Sequence, residues 1–165
     1  MPQPKATWAA HPGEKTAFTP LPSKGWTFRT TMPRKDDPLP KLFDGDPKTG
    51  WWSYAAPGNY LEIDFGKTLT FDRLVIDGGR AGPNPWPYRV YAPRSTFTLE
   101  VSEDGKAFKK VAVDSFGPSY TIVALKPVDA RYVRIVLNEL ERTSAYDNPT
   151  WSAKDIYFFR TTWGE

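Results

Sequence analysis

Residues 41–53 read Lys-Leu-Phe-Asp-Gly-Asp-Pro-Lys-Thr-Gly-Trp-Trp-Ser and crowd acids, hydroxyls, glycines and tryptophans into one short stretch. Asp44-Gly45-Asp46-Pro47 continues neither a helix nor a strand, because Gly45 frees the backbone while Pro47 fixes its own φ and biases Asp46 away from the α region. The chain must turn here. A turn rich in carboxylates and hydroxyls can direct several oxygens inward, a ligand set that suits a hard cation such as Ca²⁺, whereas zinc would want Cys or His. The alternative is an Asx-turn whose carboxylates cap their own backbone, and on spacing alone that is the simpler reading. An EF-hand loop is excluded, since the closing Glu and the flanking helix pair are both missing.

The elements that must position these residues are bounded by composition. A chain of 165 residues, 39% hydrophobic and 15% aromatic, buries one good core and has no room for a comfortable second. Its 17 Pro and 12 Gly, with no long apolar periodicity of the helical kind, favour short strands joined by many turns. The 22 Lys and Arg stand against 19 Asp and Glu and are spread along the chain, so nucleic-acid binding is not expected. The adjacent basic pairs Arg34-Lys35 and Lys109-Lys110 read as a loop tip and a solvated strand face.

Without Cys there is no disulfide, thiolate nucleophile or zinc-thiolate site, and the lone His11 sits in the N-terminal tail, so histidine-based catalysis is not expected. No apolar run reaches membrane-spanning length and no charged-then-apolar signal opens the chain, which reads as a mature segment or an excised domain.

Residues 1–23, with Pro2, Pro4, Pro12, Pro20 and Pro22, read as a proline-rich strap anchored by Trp8 and Phe18, and residues 24–165 as the folded domain. Residues 26–31 alternate as a first strand. From Tyr60, Leu61, Ile63 and Phe65 face one way and Glu62 and Asp64 the other; Leu74 and Ile76 oppose Arg73 and Asp77; Phe97, Leu99 and Val101 oppose Thr96, Thr98 and Glu100. Asp104-Gly105 is a hairpin signal, with Phe108, Val111 and Val113 on the returning strand. Residues 120–125, 132–137 and 155–159 bring the set to about eight strands, the pattern of an all-β sandwich or barrel with no helix of ordinary length.

Two long connections interrupt the spacing. Residues 78–95 hold Arg80, Asn84, Trp86, Tyr88, Arg89, Tyr91 and Arg94 among four prolines, and residues 138–152 hold Glu141, Arg142, Tyr146, Asp147, Asn148 and Trp151. Loops of this length in a compact domain are usually functional or disordered, and the rings and prolines argue against disorder.

With the strands placed, residues 24–160 resemble the discoidin or coagulation-factor type C domain and, within it, the family 32 carbohydrate-binding modules. Five segments in order carry the resemblance: Leu-Phe-Asp-Gly-Asp-Pro-Lys-Thr-Gly-Trp at 42–51, Leu-Glu-Ile-Asp-Phe-Gly at 61–66, Val-Ser-Glu-Asp-Gly-Lys-Ala-Phe at 101–108, Arg-Tyr-Val-Arg-Ile at 131–135 and Lys-Asp-Ile at 154–156. It implies a jelly-roll β-sandwich of about eight antiparallel strands. It also implies a structural calcium, held by the side chains of Asp44, Thr49 and Asp155 and the carbonyls of Lys41, Asp46, Thr49 and Lys154. The family pattern has Glu where this chain has Asp155, and the shorter carboxylate implies a weaker site or one completed by water. Trp51 matches the family's core tryptophan; Trp52 has no such match and reads as rim or ligand platform.

The function implied is a non-catalytic glycan-binding module, one domain of a larger protein that is secreted, surface-bound or periplasmic. Its saccharide would meet loops at one end of the sandwich, where Arg80, Asn84, Trp86, Tyr146 and Asn148 are candidates, followed by Arg34 and Trp52. Aromatic platforms match the C–H face of a sugar, and arginine or amide groups match its hydroxyls. The plainer reading has Trp86 covering the sandwich end, Arg80 pairing with Asp77, and Tyr146 and Trp151 pinning the last loop. The family's galactose site includes a loop His that this chain lacks, so galactose specificity does not carry over. The rival class is an adhesion or scaffold module contacting protein or phospholipid; membrane insertion is not expected from loops rich in rings, prolines and arginines. A glycosidase would need two convergent carboxylates, and nothing pairs Glu141 or Asp147 with a third acid.

Overall fold

The structure, a computed structural model, describes residues 16–34, 38–46, 48–79, 94–117, 120–141 and 149–163. Among the described residues nine strands run in chain order: β1 (Thr16–Pro20), β2 (Thr27–Thr30), β3 (Trp51–Tyr54), β4 (Tyr60–Asp77), β5 (Ser95–Ser102), β6 (Lys109–Phe116), β7 (Tyr120–Leu140), β8 (Thr150–Ala153) and β9 (Asp155–Trp163). The helical content among the described residues is one 3-10 turn at Leu39–Phe43. One sheet has the order β1-β9-β4-β7-β5-β6, with β2 also on β4, and β3 pairs with β8 apart from it; every pairing is antiparallel.

Two long strands make this sheet a sandwich. Along β4 and β7, Tyr60↔Val136 to Asp64↔Tyr132 is one register, Leu69↔Ala130 to Phe71↔Val128 a second and Arg73↔Ala124 onward a third, with Gly66 at φ 77° inside the first break. The first half of β4 carries β2 and, through β7, the β5–β6 hairpin; the second half carries β9 and β1. Phe65, before the break, meets Phe71 and Phe158, after it, at ring-centroid distances of 6.1 and 5.3 Å, so the sheet closes on its own inner face. Trp26 completes this cluster 4.7 Å from Phe65 and 5.9 Å from Phe158. Edge-to-face rings of this kind add stabilisation beyond their buried area.

The alternating residues expected in the core are there: Leu61, Ile63, Phe65, Leu74, Ile76, Phe97, Leu99 and Val101 are all buried. The segments read as separate strands at 60–65 and 74–76 are one strand, β4, and those at 120–125 and 132–137 are one strand, β7. β1 lies within the stretch read as a strap and pairs with β9, Phe18 opposite Thr161; Trp8 is outside the described residues. Val113, on the returning strand, is 57% exposed. A bulge explains it: Leu99 faces Ala112 but Glu100 faces Lys110, so Val111 is extra and the pleat beyond it is inverted.

Strand ends place the functional region. Glu141 donates its N–H to the Arg94 carbonyl at 2.8 Å, and its carboxylate accepts the Arg94 N–H at 2.8 Å, so the described flanks of both long connections are clamped together. The Lys154 N–H meets the Asp77 carbonyl at 2.7 Å, tying the β8–β9 junction to the end of β4. Phe158→Ala, which opens the aromatic cluster, is expected to destabilise the fold by about 3–5 kcal/mol in urea unfolding; a loss below about 1 kcal/mol would contradict this account of how the sheet closes.

Candidate functional site

The Asp44 corner forms as its sequence suggests. Leu42 and Phe43 anchor the 3-10 turn in the core, and Gly45 then takes φ 70°, a left-handed conformation that favours glycine. Asp44 Oδ1 accepts the Asp46 N–H at 2.9 Å, and Asp46 Oδ1 accepts the Lys48 N–H at 2.9 Å, so both acids make Asx-turns. The Thr49 hydroxyl sits amid oxygens: 2.9 and 2.7 Å from the two Asp44 carboxylate oxygens, 3.0 Å from the Asp46 carbonyl and 3.4 Å from the Lys41 carbonyl. One hydroxyl proton can answer only one of them.

Gly50 brings this turn against the opposite end of the chain, since a Cβ there would stand 3.0 Å from the Ala153 carbonyl oxygen. Beside it Asp155 is 1% exposed, and both of its carboxylate oxygens are buried with no partner in hydrogen-bond geometry. Burial first, and then the negative charge of Asp44, push its carboxyl up to about 8; the Tyr157 hydroxyl and the Gly45 N–H are close enough only to moderate the rise. Burial and the Asp155 charge push the Tyr157 phenol up as well. The Asx-turns account for Asp44 and Asp46, and they leave Asp155 unanswered. No group of three or more His, Cys, Asp or Glu forms a metal cluster among the described residues. The corner instead joins two carboxylates to a hydroxyl and backbone carbonyls, an all-oxygen set that fits a hard cation.

Next to the corner, β3 alternates. Trp51 and Ser53 are buried, while Trp52 and Tyr54 are 44% and 40% exposed on the same outward face. Their rings meet edge to face at 5.6 Å, and the Arg34 guanidinium lies 4.4 Å over the Trp52 ring. Ser53 Oγ accepts the Arg34 N–H at 3.1 Å, fixing the backbone from which that side chain springs. Behind the platform Trp51 packs on Trp151 at 6.3 Å and Trp151 on Phe116 at 5.6 Å, which confirms Trp151 as packing. The Ala55 N–H meets the Pro149 carbonyl at 3.0 Å, so the platform borders the C-terminal flank of the second long connection.

The expected ligand residues Arg34 and Trp52 are therefore brought together. Arg80, Asn84, Trp86, Tyr146 and Asn148 lie outside the described residues, as does Asp147. Of the expected metal residues, Asp44 and Thr49 meet directly, with the Lys41 and Asp46 carbonyls around them and Asp155 alongside; the Asp46 side chain turns away to Lys48. Lys154 is held at the same junction through its N–H. Tyr54 was missed, although strand alternation counted from a buried Trp51 places it beside Trp52.

These features sit in a recognised domain class. The chain belongs to the F5/8 type C domain family, whose profile matches residues 27–154. No curated protein matches it. Among solved structures it is similar to a fragment of a Bacteroides thetaiotaomicron protein provisionally assigned as a chitobiase (22% identity, TM-score 0.68, 84% of this chain and 90% of that one). It is likewise similar to the family 32 carbohydrate-binding module of Clostridium perfringens NanJ, solved with galactose (17% identity, TM-score 0.66, 87% and 99%). A family 89 glycoside hydrolase from Clostridium perfringens matches at 19% identity and TM-score 0.61, over 84% of this chain and 14% of that one. At these identities the likeness establishes the fold, a discoidin-like β-sandwich.

The raised Asp155 carboxyl fixes the sign of a pH effect. Between its ordinary value near 3.8 and its folded value of about 8 the cation-free native state holds a proton that the unfolded chain has lost. Stability from this group is complete below about pH 4 and falls as pH rises through about 8. Chelated protein is expected to be more stable at pH 5 than at pH 8 by roughly 1–3 kcal/mol, and Asp155→Asn to remove that slope; an unchanged slope in the variant would contradict the assignment.

Proposed function

We propose that this chain is a non-catalytic glycan-binding module, carried as one domain of a larger secreted or surface protein. The observation that carries the reading is the Trp52–Tyr54 pair, exposed on a strand beside the core with Arg34 stacked on Trp52. A pyranose offers one face of C–H groups and a rim of hydroxyls, so a rigid aromatic corner edged by a guanidinium can hold it by stacking and hydrogen bonding. In this reading Arg80, Asn84, Trp86, Tyr146 and Asn148 approach from the two long connections, whose flanks Arg94 and Glu141 clamp together. The galactose complex of the NanJ module supports a saccharide ligand, and the small share of the glycoside hydrolase that this chain covers supports a role as an appended domain.

A calcium ion at the corner is part of the proposal, motivated by the orphaned oxygens of Asp155. The side chains of Asp44, Thr49 and Asp155 would hold it with the carbonyls of Lys41, Asp46, Thr49 and Lys154. It supplies positive charge that allows both carboxylates to stay ionised, and it cross-links an early turn to the start of β9. Hydrolysis does not suit these acids: Asp155 is closed to substrate, and Glu141 is engaged with the Arg94 N–H.

Two measurements test the proposal. Calcium at about a hundred times its dissociation constant is expected to raise Tm by roughly 5–10 °C, and Asp155→Asn to abolish the rise; no rise in the parent protein would remove the ion. For whichever saccharide the domain retains in affinity electrophoresis, Trp52→Ala is expected to weaken binding about tenfold or more while the fold persists. Unchanged affinity in that variant would take the site off the platform, and release of reducing ends would make the chain an enzyme.

A further inference from the structure

A third carboxylate stands behind the corner, on a residue outside the ligand set named above. Asp77 is the last residue of β4, and the register sets it directly opposite Asp155 on β9, with Tyr120 of β7 on its other side. Directly opposed residues of antiparallel strands share a face, with Cβ atoms about 4.5–5.5 Å apart, and like charges so placed repel. The backbone holds Asp77 in that position. Its Oδ1 accepts the Gly79 N–H at 2.9 Å, and its carbonyl accepts the Lys154 N–H at 2.7 Å.

On the same strand, Glu62 and Asp64 are each answered by arginine. Asp77 is not: no ion pair reaches Asp44, Asp77 or Asp155 among the described residues. The orphaned oxygens of Asp155, a residue 1% exposed, are what point to an ion at this place. Burial and Asp44 come first in raising the Asp155 carboxyl, and the charge of Asp77 adds to them, so its field reaches the atoms that would meet the ion. The three carboxylates do not close into a set that could hold an ion between them. Asp77 therefore acts from outside the shell, through its charge. Calcium sites are graded in affinity by the negative charge around the ion and by how rigidly it is held, and a multivalent cation gains most from a concentrated negative potential.

We infer, resting on the calcium reading above, that Asp77 is a charge-tuning residue of the corner, one that strengthens cation binding and favours higher ionic charge without ligating the ion. With Asp155 standing where the family pattern has Glu, Asp77 makes good part of the pull that the shorter carboxylate loses. The test is titration calorimetry of the whole chain with Ca²⁺ and with Tb³⁺ at neutral pH. Asp77→Asn removes the charge but keeps an oxygen for the Gly79 N–H, and it is expected to weaken Ca²⁺ binding about fivefold. Because the Coulomb energy scales with the charge of the ion, the loss for Tb³⁺ is expected to be larger, about tenfold. Asp77→Glu, which keeps the charge, is expected to bind Ca²⁺ within about twofold of the parent. In chelator Asp77→Asn is expected to melt no lower than the parent, since a like charge has been removed.

Equal losses for the two ions would mark a loosened corner instead of a lost charge and would overturn the assignment. So would an equal loss in Asp77→Glu, or a chelated Asp77→Asn variant that melts below its parent, the result if Arg80 or another cation answers Asp77. A parent chain that takes up no Ca²⁺ would overturn the ion and this role with it, whereas a parent and an Asp77→Asn variant that bind Ca²⁺ equally well would overturn the role of Asp77 alone.

Discussion

Removing a carboxylate from water without giving it a donor costs several kcal/mol, and the chain does this at Asp155, where its early turn and its last strand meet. A second carboxylate, Asp44, stands close enough to push the first further toward the neutral form. Only a proton or a cation relieves such a pair. The surrounding geometry depends on the arrangement: Gly50 presses the turn onto Ala153, β3 leaves that turn to pair with β8, and the Lys154 N–H ties the junction to the end of β4. The Trp52–Tyr54 platform is the outward face of the same β3, so what settles the charge at the corner also sets how firmly the platform is held.

Elsewhere the fold settles its charges internally. Glu62 is as buried as many core residues, but two arginines answer it, and Arg134 is in turn packed between Tyr60 and Phe108. Asp64 and Arg131 answer each other across the same sheet face. Paired charges of this kind fix side-chain positions more than they add stability.

Much of the fold was legible because half-buried strands write their faces in a period of two: Leu61, Ile63 and Phe65, or Phe97, Leu99 and Val101, declare the core without help. The oxygen corner was legible from Asp44, Gly45 and Thr49 as a turn with two readings, and Asp155, far away in sequence, entered only through the family resemblance. What escaped depends on pairing rather than on pattern. The bulge that exposes Val113 exists only in register with Glu100, and β1 and β8 are short strands defined by the neighbours they meet. Glu62 read as solvent-facing because nothing local announces Arg29 and Arg134 beside it. Tyr54 was within reach of simple alternation.

The central claim is that a sandwich braced at the Asp155 corner presents a saccharide-binding surface. The most direct test is a glycan-array screen of the purified domain, run in calcium and in chelator at neutral pH. Retention of at least one saccharide family, weakened when calcium is withdrawn from protein that remains folded, is the predicted result. A folded, calcium-loaded domain that retains no glycan at all would contradict the claim and point to a protein- or phospholipid-contacting module instead.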